Sequence, residues 1–239
     1  MDYIILGTLI FLGFFLQTLT GFGSNVIILS LGILFFDFYE ILPIALLFNI
    51  VMGIYFLFNK FTHFEFPFIF KKILFVMGIG FFIGTFISNY LKSINLNINK
   101  ILSLIVLFFS LYDLFLFFFK GYQLKTNPIM SNFWIFISGL VQAIFATGGP
   151  FLVYALQNLK LTKESFRNSL IFIWLIFNFV LILQNPIHWE QLKTSAIISL
   201  SLPLSIYLGE KVHSYISVEK FHILTRIVLI ISSILVLIK

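Results

Sequence analysis

No cysteine occurs in the 239 residues, which excludes disulfides, thiolate nucleophiles and cysteine-held metals. Charge is nearly as scarce: Asp, Glu, Lys and Arg make up 10% of the chain, against about 25% in a soluble domain. His63, His188, His213 and His222 fall in loops or at the ends of apolar runs, and no two have a metal-ligand spacing such as i, i+4 on one helix. There is no phosphate-binding loop, no arguable Ser-His-Asp order and no carboxylate pair, so an enzyme is not expected and no cofactor is implied. No basic segment precedes the first apolar run, which is therefore expected to stay in the protein and not to be removed as a signal peptide.

What the chain has in abundance is apolar surface. It is 60% hydrophobic, with 34 Phe and a mean hydropathy of +1.09. No water-soluble fold could hide so much, so the solvent is a bilayer. The Phe residues read mainly as lipid-facing filler, with an aromatic binding cage as the minor alternative. The net charge of +6 is scattered between the apolar runs. It therefore reads as a topology signal and not as a nucleic-acid face.

Six runs have ordinary spanning length, near 20 residues: Ile41–Asn59, Ile73–Leu91, Ile101–Phe119, Ser165–Leu183, Leu192–Gly209 and Phe221–Ile238. Two others are too long. Tyr3–Phe36 would make a rod of about 51 Å, and Ser131–Leu159 one of about 44 Å, against a hydrocarbon core of about 30 Å. Each is interrupted near its middle by polar residues and glycine. The first interruption holds Gln17, Thr18, Thr20, Gly21, Gly23, Ser24 and Asn25; the second holds Gln142, Thr147, Gly148, Gly149 and Pro150.

The interruptions align. With Gln17 laid on Gln142, an offset of 125, Gly23 meets Gly148, Gly84 meets Gly209 and Tyr90 meets Tyr215. After a three-residue gap, Ile105–Ser110 meets Ile227–Ser232. The ordered series predicts an internal duplication, residues 1–122 and 126–239, joined by the polar segment Lys120–Asn127. Each repeat would hold one broken or re-entrant helix and three transmembrane helices.

Two topologies compete. If each long run crosses once, Lys92, Lys100, Lys160, Lys163, Arg167, Lys211, Lys220 and Arg226 lie on one side, eight against seven. If each run enters and leaves on one side as a hairpin, only Lys92, Lys100, Lys193 and Lys239 lie on the far side, eleven against four. The hairpin model follows the positive-inside rule and makes the repeats inverted, a common transporter plan. Both models place the N- and C-termini outside.

A break in a membrane helix frees backbone groups, each costing several kcal/mol if left unsatisfied in hydrocarbon. Nearby polar side chains and water can satisfy them, and glycine lets the chain turn. The arm after each break starts a new helix, whose N-terminus carries about half a positive charge. Pro150 suits a first helical position, and Ser24 and Asn25 are good caps. Two such N-termini facing each other near the midplane would bind an anion without a buried Lys or Arg. The competing reading is a packing kink with glycine at a close helix contact.

The stretches "TGFGSN" and "GLVQAIFATGGPFLVYAL", with "KESFRNSLIF" after the second, resemble the paired motifs of the TauE/SafE sulfite-exporter family over essentially the whole chain. The resemblance implies a bacterial inner-membrane protein that exports or imports sulfite, sulfonates or related small organic anions. It also implies that Gly21, Gly23, Thr147, Gly148, Gly149 and Pro150 form the substrate site. Many members have three glycines in a row in the first motif and a proline soon after; here Ser24 and Asn25 follow Gly23.

Other polar residues have two readings each. Asp113 is a proton carrier or an acid reaching the headgroups. Asn49 and Asn178, in similar contexts, line the cavity or bond neighbouring helices. Trp174 walls the site or faces lipid. Arg167 snorkels at a span's start or draws anions to the mouth. The sequence thus predicts an all-α, polytopic integral membrane protein that transports a small anion, with a proton or sodium ion as possible coupling partner. Gln17, Thr20, Gly21, Gly23, Ser24, Asn25, Asn49, Gln142, Thr147, Gly148, Gly149, Pro150 and Asn178 are its candidate substrate-binding residues. A passive anion channel and a membrane scaffold or assembly factor are the alternatives. Oligomeric state is not legible.

Overall fold

The computed structural model describes residues 2–59, 68–94, 128–156 and 162–213, together with scattered positions at 100–115 and residues 215, 230 and 234. Every regular element among them is helical: α1 (Tyr3–Thr20), α2 (Ser24–Gly32), α3 (Phe38–Asn59), α4 (Phe68–Ser93), α5 (Pro128–Phe145), α6 (Gly149–Leu156), α7 (Lys163–Gln184), α8 (Trp189–Ile197) and α9 (Ser201–His213). The protein is an all-α membrane protein. Four of these helices are long and apolar enough to cross a bilayer, five if the bent α8–α9 pair forms one span. The span Ile101–Phe119 lies largely outside the described residues. So do the span Phe221–Ile238, the segment Lys120–Asn127, and Asp113, His63, His222 and Arg226.

Local chemistry sets the helix ends. Asp2 caps α1, its carboxylate accepting from the amides of Ile4 and Ile5 at 3.0 and 3.3 Å, a standard N-terminal cap. In α3, Pro43 cannot donate to the Tyr39 carbonyl four residues back. The Gln191 amide of α8 reaches this freed carbonyl and that of Glu40 beside it, at 3.4 and 3.1 Å. The run Leu192–Gly209, expected as one span, is two helices bent by 48°. Pro203 denies Ser199 its helical donor, and tighter bonds such as Leu202 N–H to the Ser199 carbonyl, 3.3 Å, make the corner.

Neither over-long run is a rod, because each folds back on itself. A Cβ at Gly13 would lie 2.7 Å from Ile28, and one at Gly32 would lie 3.8 Å from Leu9, so α2 returns antiparallel along α1. In the second run the Ser131 hydroxyl donates to the Ala155 carbonyl at 2.9 Å, and the Ser138 hydroxyl to the Gly148 carbonyl at 2.8 Å, so α6 returns along α5. Both ends of the first hairpin reach the same end of the molecule. Asp2, Tyr3, Phe35 and Phe36 line one surface crevice there, with Glu40, His188 and Glu190.

Glycine permits the closest helix pairs. A side chain at Gly84 would meet the Leu140 carbonyl and Ala143, and one at Gly209 would meet Thr18. Here backbones touch where small residues allow it, the usual route to tight packing in lipid. Phenylalanine serves both inside and out: Phe14 and Phe56 are fully buried, whereas Phe58, Phe75 and Phe86 are exposed on the apolar exterior.

Candidate functional site

At the first break, α1 ends on Gly21 in the left-handed region at φ 86°, with its N–H donating to the Gln17 carbonyl at 2.7 Å. Gly23, at φ 100°, then starts α2 with no side-chain cap. The first amide bonded back into α2 is that of Ile27, donating to the Gly23 carbonyl at 3.1 Å. The amides of Ser24, Asn25 and Val26 therefore have no acceptor within the helix, as at any uncapped N-terminus.

The sequence offered Ser24 and Asn25 as caps, and the structure gives both other partners. The Ser24 hydroxyl donates to the Gln17 side-chain oxygen. The Asn25 amide donates to the Ala146 carbonyl at 2.9 Å, so the first break is bonded directly to the second. Asn49, midway along α3, ties the group together. Its Nδ2 donates to Asn25 Oδ1 at 2.6 Å and to the Ala45 carbonyl at 3.0 Å, and its Oδ1 accepts from Gln17 Nε2 at 3.0 Å. These side chains are almost fully buried, and mutual bonding is what makes buried amides tolerable.

The second break has the same plan with other residues. Ala146, at φ 55°, is the left-handed turn, its N–H donating to the Gln142 carbonyl at 2.9 Å. Gln142 Oε1 accepts from the Gly148 N–H at 2.9 Å, and Gln142 Nε2 donates to Asn178 Oδ1 of α7 at 2.8 Å. Pro150 is the second residue of α6, one position later than the sequence suggested, and still within the first turn, where its missing N–H costs nothing.

Where the breaks meet there is a small cavity of about 20 Å³, room for one water. Gln17, Gly23, Ser24, Asn25, Asn49, Gln142, Thr147, Gly149 and Asn178 line it, with Val26, Ala146 and Trp174. No lining residue is charged. Four candidates lie off the wall. Thr20 donates to the carbonyls of Leu16 and Phe22 at 2.9 and 2.8 Å. Gly21 turns the chain and packs on Arg167. Gly148 packs on Ser138, and Pro150 begins α6. No group of three or more potential metal ligands occurs among the described residues.

For two further residues the structure decides against one of the readings. Trp174 does not face lipid: it is 5% exposed, walls the cavity, and its indole N–H donates to the Gly21 carbonyl at 3.1 Å. Arg167 does not snorkel: it is 3% exposed. It pairs with Glu210 of α9 at 2.7 Å and donates to the Thr18 carbonyl at 3.2 Å. A cation is thus buried beneath the first break, though not in the cavity wall. Ala146 escaped notice because alanine does not advertise a left-handed turn. The offset of 125, which lays it on Gly21, was the available signal.

The family model described as Sulfite exporter TauE/SafE matches residues 5–236 of the chain. No curated protein and no solved structure matches it.

Proposed function

The chain belongs to the TauE/SafE sulfite-exporter family, a family of membrane transporters, and from that premise we propose that it carries sulfite, a sulfonate or a related small organic anion through the point where the two breaks meet. The observation that carries the reading is the uncapped start of α2. Three backbone amides without a helical acceptor lie at a buried cavity free of carboxylates, an arrangement suited to negative charge. The start of α6 borders the same space through Thr147 and Gly149.

The cavity's size favours a carrier over an open channel. Space for one water does not pass an oxyanion, so the hairpins must part to admit one. Two corresponding halves would supply that motion by rocking. Contacts at the same offset support such a duplication: Gly84 meets Ala143, and Gly209 meets Thr18, with each residue of the second contact 125 positions from its counterpart. We further read 1–122 and 126–239 as inverted repeats, the site as bacterial inner membrane, and both termini as outside. A proton or sodium ion is the candidate coupling partner.

The test is uptake of radiolabelled sulfite and methanesulfonate into proteoliposomes holding the full chain. Saturable flux that responds to an imposed proton or sodium gradient is expected, and Asn25→Leu should reduce it at least about tenfold, since a buried polar contact commonly carries this much discrimination. No saturable flux over a broad anion panel overturns the transporter reading. Flux indifferent to every gradient favours the channel.

A further inference from the structure

The buried Arg167 has a setting that the cavity does not explain, and, resting on the anion-permease reading, we propose that Arg167 and Asn168 form a second anion station beside the first break, occupied by the Glu210 carboxylate when no substrate is there.

The station is rich in donors. The guanidinium lies over the Phe56 ring, 5.3 Å from its centroid, with Nη1 on Glu210 and on the Thr18 carbonyl and Nε donating to Asn168 Oδ1 at 3.2 Å. Asn168 is fully buried, and its Nδ2 has no acceptor among the described residues. An orphan buried donor is rare enough to ask for a ligand. A multi-oxygen anion can accept from the guanidinium and the amide together, whereas the Glu210 carboxylate bonds the guanidinium and leaves the amide unserved.

The two members of the ion pair are unequally held. The Arg167 side chain is 4% exposed and that of Glu210 28%. Glu210 can turn toward water, but Arg167 cannot follow it. When Glu210 leaves, Arg167 keeps the Thr18 carbonyl, which lies at the negative end of α1, and so remains aimed. A buried charge left without a counterion is costly, so Glu210 leaves when another anion arrives.

The position is on a path. On α3, Asn49 marks the cavity and Phe56 marks the guanidinium, seven residues apart, or about 10 Å of helical rise. A single peptide unit stands between them. The Gly21 carbonyl accepts Trp174 from the cavity wall, while a Cβ on Gly21 would lie 2.7 Å from the Arg167 carbonyl. An anion leaving the cavity toward the end where α7 begins passes this guanidinium. Among the described residues nothing corresponding flanks the second break: Thr85, 125 positions before Glu210, bonds its own helix at the Phe81 carbonyl, 3.0 Å away. Other ionisable groups of the neighbourhood are Glu164, exposed one turn earlier on α7, and His213, whose Nδ1 is 2.9 Å from the Leu19 carbonyl.

The test is the kinetics of sulfite flux in proteoliposomes for Glu210→Gln, Arg167→Gln and the double variant, with thermal unfolding in detergent as the control for folding. Removing the resident carboxylate should lower KM for sulfite by about threefold or more, because a site free of its competitor binds with its intrinsic affinity. Arg167→Gln should cut flux by at least about tenfold, and the double variant should remain as poor. If the pair is only a brace, both single variants lose stability and flux together, and the double variant recovers both; that result overturns the proposal. So does an unchanged or raised KM in Glu210→Gln, which decides the matter if Arg167→Gln fails to fold. A wild-type chain inert toward every anion overturns the proposal and the transporter reading together. An active wild type with the brace pattern overturns the station alone.

Discussion

The two breaks solve one problem with different parts. Each needs a residue in the left-handed region to end a helix: Gly21 does this at φ 86°, and Ala146, 125 positions later, at φ 55°. Each returns a glutamine from the last turn to the gap. Gln17 takes the Ser24 hydroxyl, and Gln142 takes the Gly148 amide. Each glutamine then donates to an asparagine of a crossing helix, Asn49 or Asn178. The likeness lies in which backbone groups must be satisfied and the difference in which atoms satisfy them. Asn49 bonds Gln17, Asn25 and its own helix and touches Ser24 at 3.2 Å, so the first break hangs on one amide. A charge pair lies below the first break.

The comparison breaks hardest at Gly21. A methyl group there would meet the Arg167 carbonyl oxygen at 2.7 Å and its Cα at 2.8 Å, both backbone, and alanine is strained at that φ. Gly21→Ala should lose about 3–5 kcal/mol from overpacking and left-handed strain together, measured as unfolding in detergent. If it is as stable as wild type, the close approach to Arg167 is not real.

Next come the two asparagines. Asn49→Leu strands several buried partners and should cost about 2–3 kcal/mol, while Asn178→Leu should cost about 1–2 kcal/mol, by the usual penalty for unpaired buried groups. Equal losses would erase the asymmetry between the networks. The glycines of the breaks divide similarly. A Cβ at Gly23 meets nothing within 4 Å, so Gly23→Ala should cost about 1–2 kcal/mol of backbone strain and raise KM for sulfite through its intrusion on the cavity. At Gly148 a side chain strikes the Ser138 carbonyl, so its replacement tests folding rather than transport.

Smaller still, Ala146→Gly removes left-handed strain but adds unfolded-state freedom, for a net gain of up to about 1 kcal/mol. A loss there would show that the two turns are not equivalent. The gentlest probe uses the absence of cysteine. His188→Cys and Lys71→Cys, both exposed, should react with impermeant reagents from opposite faces of the membrane; reaction from one face would rule out the hairpin topology.

Much of the site was legible because it is local. Gly21, Gly23 and the Gln-to-Gly spacing follow from what a turning backbone requires, and nine of the thirteen candidate residues line the cavity. Thr20 and Gly148 do not: the Thr20 hydroxyl is taken by backbone carbonyls and the Gly148 N–H by the Gln142 side chain, and their residue types carry no sign of it. Trp174 and Arg167 each kept two readings for one reason. In an apolar run, nothing local distinguishes a face turned to lipid from a face turned to another helix.

Composition and spacing by themselves determined the bilayer as solvent, the helical class and the places where two over-long runs must break. All of these depend on backbone chemistry within a few residues. Tertiary structure alone decided that Asn25 bonds Ala146 and leaves its own helix uncapped, and that Arg167 is buried against Glu210; the hairpin course of the runs was favoured by the lysine and arginine distribution and decided by packing. The physical reason is competition: in a medium poor in water, a polar group takes the best partner within reach, and which partners are within reach is set by the packing of helices far apart in sequence.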